Sequence, residues 1–443
     1  MHIQLSEHFS YGKLLRFTFP SMVMMVFTSI YGVVDGVFVS NFVGADSFAA
    51  VNLIMPFLML LGALGFMIGT GGSALVSFTL GSGETDRARR IFSLLIYVLL
   101  ISGAVLTVVG IAVMEPVARL LGADETLLPL CVLYGRLVLL ALIPFMLQNA
   151  FQSFFVTAER PHLGLYVTIA AGLTNMALDA LFIAGLRWDV AGAALATALS
   201  QLVGGILPLV YFALPNRSKL RLCSAKWDGR ALAKTCANGS SEFMTNISMS
   251  VVNMLYNWQL MRLMGANGVA VFGVIMYVNF IFVAIFLGYS MGSAPIVGYH
   301  YGAGNRPELW GLLRKSLVLI AGMSVALTAA ALGLARPLSM IFVSYNAGLL
   351  AVTIRAFTIY SASFLLVGFN IYASSFFTAL NDGLTSAIIS FSRTLLFQVM
   401  AVLLLPLAFG IDGVWGAVIV AEALALVLSL FYLVGKRKKY GYV

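Results

Sequence analysis

The chain has 443 residues, of which 61% are hydrophobic and only 10% charged, with a net charge of +9. Its mean hydropathy is +0.98. Soluble domains carry about 25% charged residues, so water is excluded as the main solvent of this protein.

In chain order, apolar segments long enough to span a bilayer, roughly 20 residues, lie near 14–40, 48–80, 91–114, 130–157, 163–186 and 190–214. Six more follow near 232–261, 268–300, 312–335, 349–379, 384–409 and 412–435. None alternates as a barrel strand would, so the expected fold is an all-α integral membrane bundle of twelve transmembrane helices. The first run is of span length and follows a polar start, MHIQLSEHFSYGK, so no cleavable signal peptide is expected.

The charge is arranged by side. With the N-terminus inside, one face collects Lys13, Arg16, Arg87, Arg89, Arg90 and Arg160. It also takes Arg217, Lys219, Arg221, Lys226, Arg230 and Lys234, then Arg306, Arg314, Lys315 and Arg393. The tail adds Lys436, Arg437, Lys438 and Lys439, which leaves Arg119, Arg136, Arg187, Arg262, Arg336 and Arg355 outside. This is the positive-inside pattern, and it puts both termini in the cytoplasm. The basic tail reads as a topology signal first and a contact for membrane lipids second, with no nucleic-acid partner expected.

Catalytic constellations are missing. Cys131, Cys223 and Cys236 have no metal-ligand spacing, and His2, His8, His162 and His300 are scattered near predicted membrane edges. There is no HExxH, GxSxG or Walker loop, so neither an enzyme nor phosphate-driven transport is expected, and no cofactor.

The one long hydrophilic connection follows the sixth span. It divides the chain into residues 1–214, a linker at 215–231, and residues 232–443 with the basic tail. At an offset of 221, Gly44-Ala45 meets Gly265-Ala266, Gly81-x-Gly83 meets Gly302-x-Gly304, Pro116 meets Pro337, and Thr157-Ala158 meets Thr378-Ala379. Six spans per copy make the two repeats parallel, an arrangement of transporters whose substrate path lies between the halves.

Polar residues then stand out against the apolar runs. "SIYGVVDGVFVSN" carries Asp35 with no Lys or Arg within fifteen residues, and Tyr31 shares its helical face. "LTNMALDALF" places Asn175 and Asp179 four apart on one face, and Thr197 follows in span six. Rise per residue puts Asp35 about 30 Å and Asp179 about 24 Å above the inner end, so Asp35 reads either as interfacial or as part of a site. A charged Asp at a helix centre costs about 2.5–3.5 kcal/mol. Two without a basic partner suggest a held proton or a bound cation. Asp35, Asn175, Asp179 and Thr197 form an oxygen-only set that suits Na⁺. Glu242, Asn253, Met254, Tyr256, Asn257 and Met291 are candidates for the wall of a substrate cavity, Glu242 reading equally as interfacial. Glu422 is an intramembrane acid without an assigned role. The pairs Gly32/Gly36 and Gly288/Gly292 read as close helix contacts.

"VVDGVFVSNFVGADSFAAVN", "LTNMALDALFIAGL" and "VAGAALATALSQ", with "GSGETDRARR" and its echo "GAGNRPELWG", together resemble the multidrug and toxic compound extrusion (MATE) family, in its bacterial DinF-like or MepA-like branch. The resemblance covers nearly the whole chain. It implies two six-helix lobes forming a V in the plasma membrane, and a monomer that exports small lipophilic compounds by antiport with H⁺ or Na⁺. Asp35 matches the family's ion-linked aspartate, Tyr31, Asn175, Asp179 and Thr197 match its neighbours, and Pro20 matches a proline that bends span one. The chain departs from the sodium-coupled pattern in its second lobe, where Tyr256 stands opposite Asp35 and span ten has no acid. The acidic cluster and the Met-rich, aromatic interior favour lipophilic cations. A lipid-linked saccharide flippase of the same superfamily is the alternative; it would want basic residues in the cavity, and none of the 26 falls clearly at mid-membrane.

Overall fold

A computed structural model describes residues 3–343 and 346–442; His2 lies outside them. The first half contains α1 (Tyr11–Phe42), α2 (Ala45–Gly81), α3 (Thr85–Leu120), α4 (Leu127–Leu139), α5 (Leu142–Thr157), α6 (Pro161–Asp179), a π-helical turn (Ala180–Gly185) and α7 (Asp189–Ala213). The second contains α8 (Gly229–Met264), α9 (Ala266–Gly302), α10 (Arg306–Val343), α11 (Ala347–Ser361), α12 (Phe364–Ala379) and α13 (Gly383–Phe391). A second π-helical turn (Ser392–Leu396), α14 (Phe397–Phe409), α15 (Ile411–Gly435) and the short α16 (Arg437–Tyr440) complete it. Polar side chains start several helices: Ser10 accepts from Lys13 N–H, Asp228 from Ala231 N–H and Asn346 from Leu349 N–H.

Among the described residues nine helical segments are long and apolar enough to cross a bilayer, and the pairs α4–α5 and α11–α12 qualify when each is taken as one bent span. They bend by 55° and 44°. The remaining one of the twelve expected spans, the seventh, is α8. It has 36 residues, but the stretch CANGSSEFMTNISMS makes it too polar to qualify by composition. α1 remains helical through Pro20, which is buried in it.

The two halves meet along α1, α2, α8 and α9. The contact is reciprocal at the offset read from the sequence. A Cβ on Gly81 would strike the carbonyl of Tyr299, and a Cβ on Gly302 would strike that of Phe78. Gly71 lies as tightly against Thr235 and Gly239, while its counterpart Gly292 lies against Thr18. Such exchange of partners is what a two-fold axis requires. The turn glycines also recur with left-handed backbone, Gly44 and Gly265 at φ 92° and 66°, Gly83 and Gly304 at 83° and 68°.

Gly288 and Gly292 are the close contacts expected, against Ser21, Met22 and Thr18. Gly32 and Gly36 are not: nothing lies within 4 Å of a Cβ at either. Ser29 still donates to the Phe280 carbonyl at 3.3 Å, and beyond it the α1 face at Gly32 and Gly36 looks onto open space. The halves are thus joined over the part of α1 nearer the chain ends.

That end, the terminal face, also gathers both termini and most of the basic loops. Leu5, Phe9, Leu14 and Phe17 are buried in one core with Phe286, Tyr289 and Phe376 of the second half. Leu5 N–H donates to Glu159 of the first half at 2.8 Å, and Phe9 N–H donates to Glu308 of the second at 2.9 Å. The first residues therefore strap the two halves together. At the other end of the chain, Asp382 accepts from Lys436 at 2.7 Å and from the Tyr440 hydroxyl at 2.6 Å. Burial alone would push the Asp382 carboxyl up. The hydrogen bonds from Lys436, Tyr440 and Thr385 outweigh that and hold it below the usual carboxylate range.

Overpacking a tight site costs about 1–3 kcal/mol, so Gly302→Val should lower the thermal unfolding midpoint in detergent, while Gly36→Ala should leave it unchanged or slightly raised. A depressed folded-state carboxyl stabilises above its unfolded value, about 3.9, and loses that contribution as pH falls through the folded value. Hydrogen-exchange protection of residues 437–442 should therefore persist from neutral pH to about 4 and collapse below it. Asp382→Asn should lose that protection already at neutral pH.

Candidate functional site

In the first half, α1, α6 and α7 bring the expected residues together. Asn175 and Asp179 are 3% and 0% exposed on one face of α6. Asp35 on α1 lies close enough to interact with both electrostatically. One oxygen of Asp35, both of Asp179, the Asn175 amide oxygen and the Thr197 hydroxyl are buried with no hydrogen-bond partner among the described residues. No ion pair reaches either acid among those residues. Buried polar atoms are nearly always satisfied, and five bare oxygens in one place make a recess for a positive charge. The cluster fits either a proton shared by two carboxylates or a small hard cation held by oxygen alone.

Two members were not legible in the sequence. Tyr134 on α4 is buried close enough to Thr197 and both carboxylates to interact with them electrostatically, without a hydrogen bond to Thr197. Gln148 on α5 is buried near enough to Tyr31 to interact with its hydroxyl electrostatically. Gln148 could have been found: it opens "QNAFQ", three amides in an apolar run. Tyr134 left no comparable signal. The π-helical turn begins directly after Asp179, a distortion frequent at functional sites.

The second half lines most of a cavity of about 230 Å³, bordered by Asn253 and Tyr256 of α8, Phe272 of α9, Tyr360 of α11, Arg393, Gln398 and Glu422, with Ser29 of α1 at its edge. Tyr256 stacks on Phe272 with centroids 4.8 Å apart and donates to Gln398 at 3.0 Å. Of the expected wall residues, Asn253 and Tyr256 border this cavity; Glu242, Met254, Asn257 and Met291 do not. Met254 is 73% exposed, on another face of α8, and Glu242 is half-buried, near enough to feel the charge of Arg393.

Arg393 requires a correction. Counted above with the inner loops, it lies ten residues into the segment Gly383–Phe409, within the π-helical turn. A basic residue does therefore occupy the bundle interior. Its partner is Glu422, the acid left without a role: Arg393 Nε donates to the two carboxylate oxygens at 2.8 and 3.0 Å. Asn370 adds an amide donor to Glu422 at 2.7 Å and is itself held by Ser429 at 3.1 Å. Neither partner is near the other in sequence, so the pair was hidden.

Removing one partner of a buried ion pair costs about 3–5 kcal/mol, whereas apolar replacement of both is often neutral. Glu422→Leu should accordingly lower the unfolding midpoint sharply, and adding Arg393→Met should recover most of the loss, as measured by thermal unfolding of the purified chain.

A profile of the MatE family matches residues 20–181 and 243–403, one block in each half and more than half of the chain. Multidrug export protein MepA of Staphylococcus haemolyticus is 22% identical over 97% of this chain and 94% of its own length. The protein of the same name from Staphylococcus saprophyticus is 23% identical over 95% and 93%. A solved structure described as the outward-facing conformation of a multidrug resistance MATE family transporter superposes with a TM-score of 0.93, at 22% identity, over 99% of this chain and 98% of that one. With the profile repeated in both halves and the fold shared end to end, the chain belongs to the MatE family of multidrug efflux transporters.

Proposed function

We propose that the protein is a secondary active multidrug exporter that moves lipophilic cations out of the cell by alternating access, in exchange for H⁺ or Na⁺. The observation that carries this reading is the pair of half-buried Asp35 and fully buried Asp179, without a basic partner among the described residues and beside unpartnered oxygens. Such a site gains most from a cation, and its occupancy changes the electrostatic balance between α1, α6 and α7. Coupling follows when ion and substrate each favour a different arrangement of the same helices. The names of the relatives support export of drugs. The charge distribution supports a plasma-membrane orientation with the terminal face in the cytoplasm, and the tight seam near that face supports an outward-facing arrangement.

The flippase alternative has one observation in its favour, Arg393 beside the second-half cavity. Glu422 already matches that charge, so a diphosphate finds no free cationic field there.

The test is ethidium transport in proteoliposomes under an imposed pH gradient or an imposed Na⁺ gradient. Wild type should move ethidium uphill with at least one of them. Asp35→Asn, nearly isosteric and unable to ionise, should insert and bind ethidium yet fail to accumulate it against its gradient. Asp179→Asn should behave alike. Wild-type gradient-driven transport by Asp35→Asn at equal expression would return Asp35 to an interfacial role and overturn the assignment.

A further inference from the structure

A second site lies at the terminal face, away from both polar clusters. A pocket of about 720 Å³ opens between the start of α1, the α5–α6 turn and the end of α7, with Ile3 of the strap on its border. Arg16, Arg160 and Arg217, with His162, converge on it from these separate elements. We propose that it holds the headgroup of an anionic phospholipid.

The charges there are unspent. The side chains of Arg16 and Arg217 make no hydrogen bond or ion pair among the described residues. Arg160 donates from Nη2 to the Arg217 carbonyl at 3.4 Å, and its Nε is buried without a partner. The one acid on the border, Glu159, is 6% exposed and already engaged by Lys219 at 2.7 Å and Leu5 N–H at 2.8 Å. Guanidinium groups bind phosphate in a forked, charge-assisted geometry that lysine cannot match. Positive-inside bias explains basic residues on this face, but does not require three arginines from distant parts of the chain to face one pocket.

The surroundings fit a lipid better than a soluble phosphate. One turn further into the membrane from three of the bordering residues stands an exposed apolar or aromatic side chain: Phe19 above Arg16, Tyr166 above His162, and Val210 above Leu214. These are 61%, 62% and 47% exposed, on a surface that faces acyl chains in a spanning protein. A cationic rim over an apolar shaft has the polarity of a phospholipid. Basic pockets between helices at a membrane surface are recognised as headgroup sites, and the volume falls within the range of about 300–1,000 Å³ usual for ligand pockets.

Native mass spectrometry of the purified full chain, titrated with dioleoyl-phosphatidylglycerol or dioleoyl-phosphatidylcholine, tests this. Wild type should retain phosphatidylglycerol preferentially. Affinity should fall roughly fivefold for each arginine removed and on the order of a hundredfold in Arg16→Gln, Arg160→Gln, Arg217→Gln combined. Arg217→Gln alone removes an exposed side chain without a bond, so its loss of lipid is readable even where the triple variant folds poorly. Arg437→Gln, Lys438→Gln, Lys439→Gln, which removes equal charge from the tail, should leave retention intact. Equal retention of the two lipids, or an equal loss in the tail variant, would overturn the site. Binding of inorganic phosphate with no preference between lipids would assign the pocket to a soluble anion and likewise reject the lipid.

Discussion

The fold depends on main chain meeting main chain between its two halves. Gly81 and Gly302 let α2 and α9 approach so closely that no side chain fits between them, and the same two helices supply both contacts in exchanged roles. Steric closeness of this kind needs no hydrophobic driving force, which helices in lipid lack. It fixes the axis around which the rest is arranged: paired turns, paired bends in α4–α5 and α11–α12, and a polar cluster within each half. Packed interfaces tend to be bistable rather than elastic, so the seam also defines where the halves can pivot.

Built on equivalent scaffolds, the two clusters have opposite electrostatic character. Asn370 and Glu422 stand at the positions of Asn149 and Gln201, offset by 221. In the second half they form a network closed by Arg393, with acid and base in contact. In the first half the corresponding amides leave the Asn149 nitrogen and the Gln201 oxygen unpartnered, and the place of Arg393 is taken by Gly172, beside Tyr31 and Phe27. The repeat counterpart of Asp35 is Tyr256, a phenol in place of a carboxylate and already bonded to Gln398. One half has a neutralised interior and the other an unneutralised one. An ion drawn to this protein finds its deficit on one side of the axis only.

Much of this was legible from residue order. The helices and the parallel repeat follow from apolar run length and turn glycines, and the grouping of Asp35 with Asn175, Asp179 and Thr197 from i, i+4 spacing, depth along each span and the family resemblance. What stayed hidden was pairing across distance. Glu422 looked solitary because its partner is 29 residues away on another helix, and Arg393 looked cytoplasmic because a span boundary drawn by hydropathy can slide past a single cation. Gly32 and Gly36 show the reverse error. A small-residue motif announces that a close approach is allowed, while the divergence of the halves decides whether one occurs.

The strap at the start of the chain has a mechanical consequence. Residues Leu5 and Phe9 are bound through backbone N–H groups to carboxylates of opposite halves, a grip added to the burial of their side chains in the core. Parting the halves at that face has to strip a main-chain donor from Glu159 or from Glu308, and each acid keeps a lysine nearby, Lys219 or Lys315, to take up its charge when the donor leaves. The chain's own beginning thus acts as a tether, and the short stretch between Leu5 and Phe9 sets how far Glu159 and Glu308 can part before one of these bonds breaks.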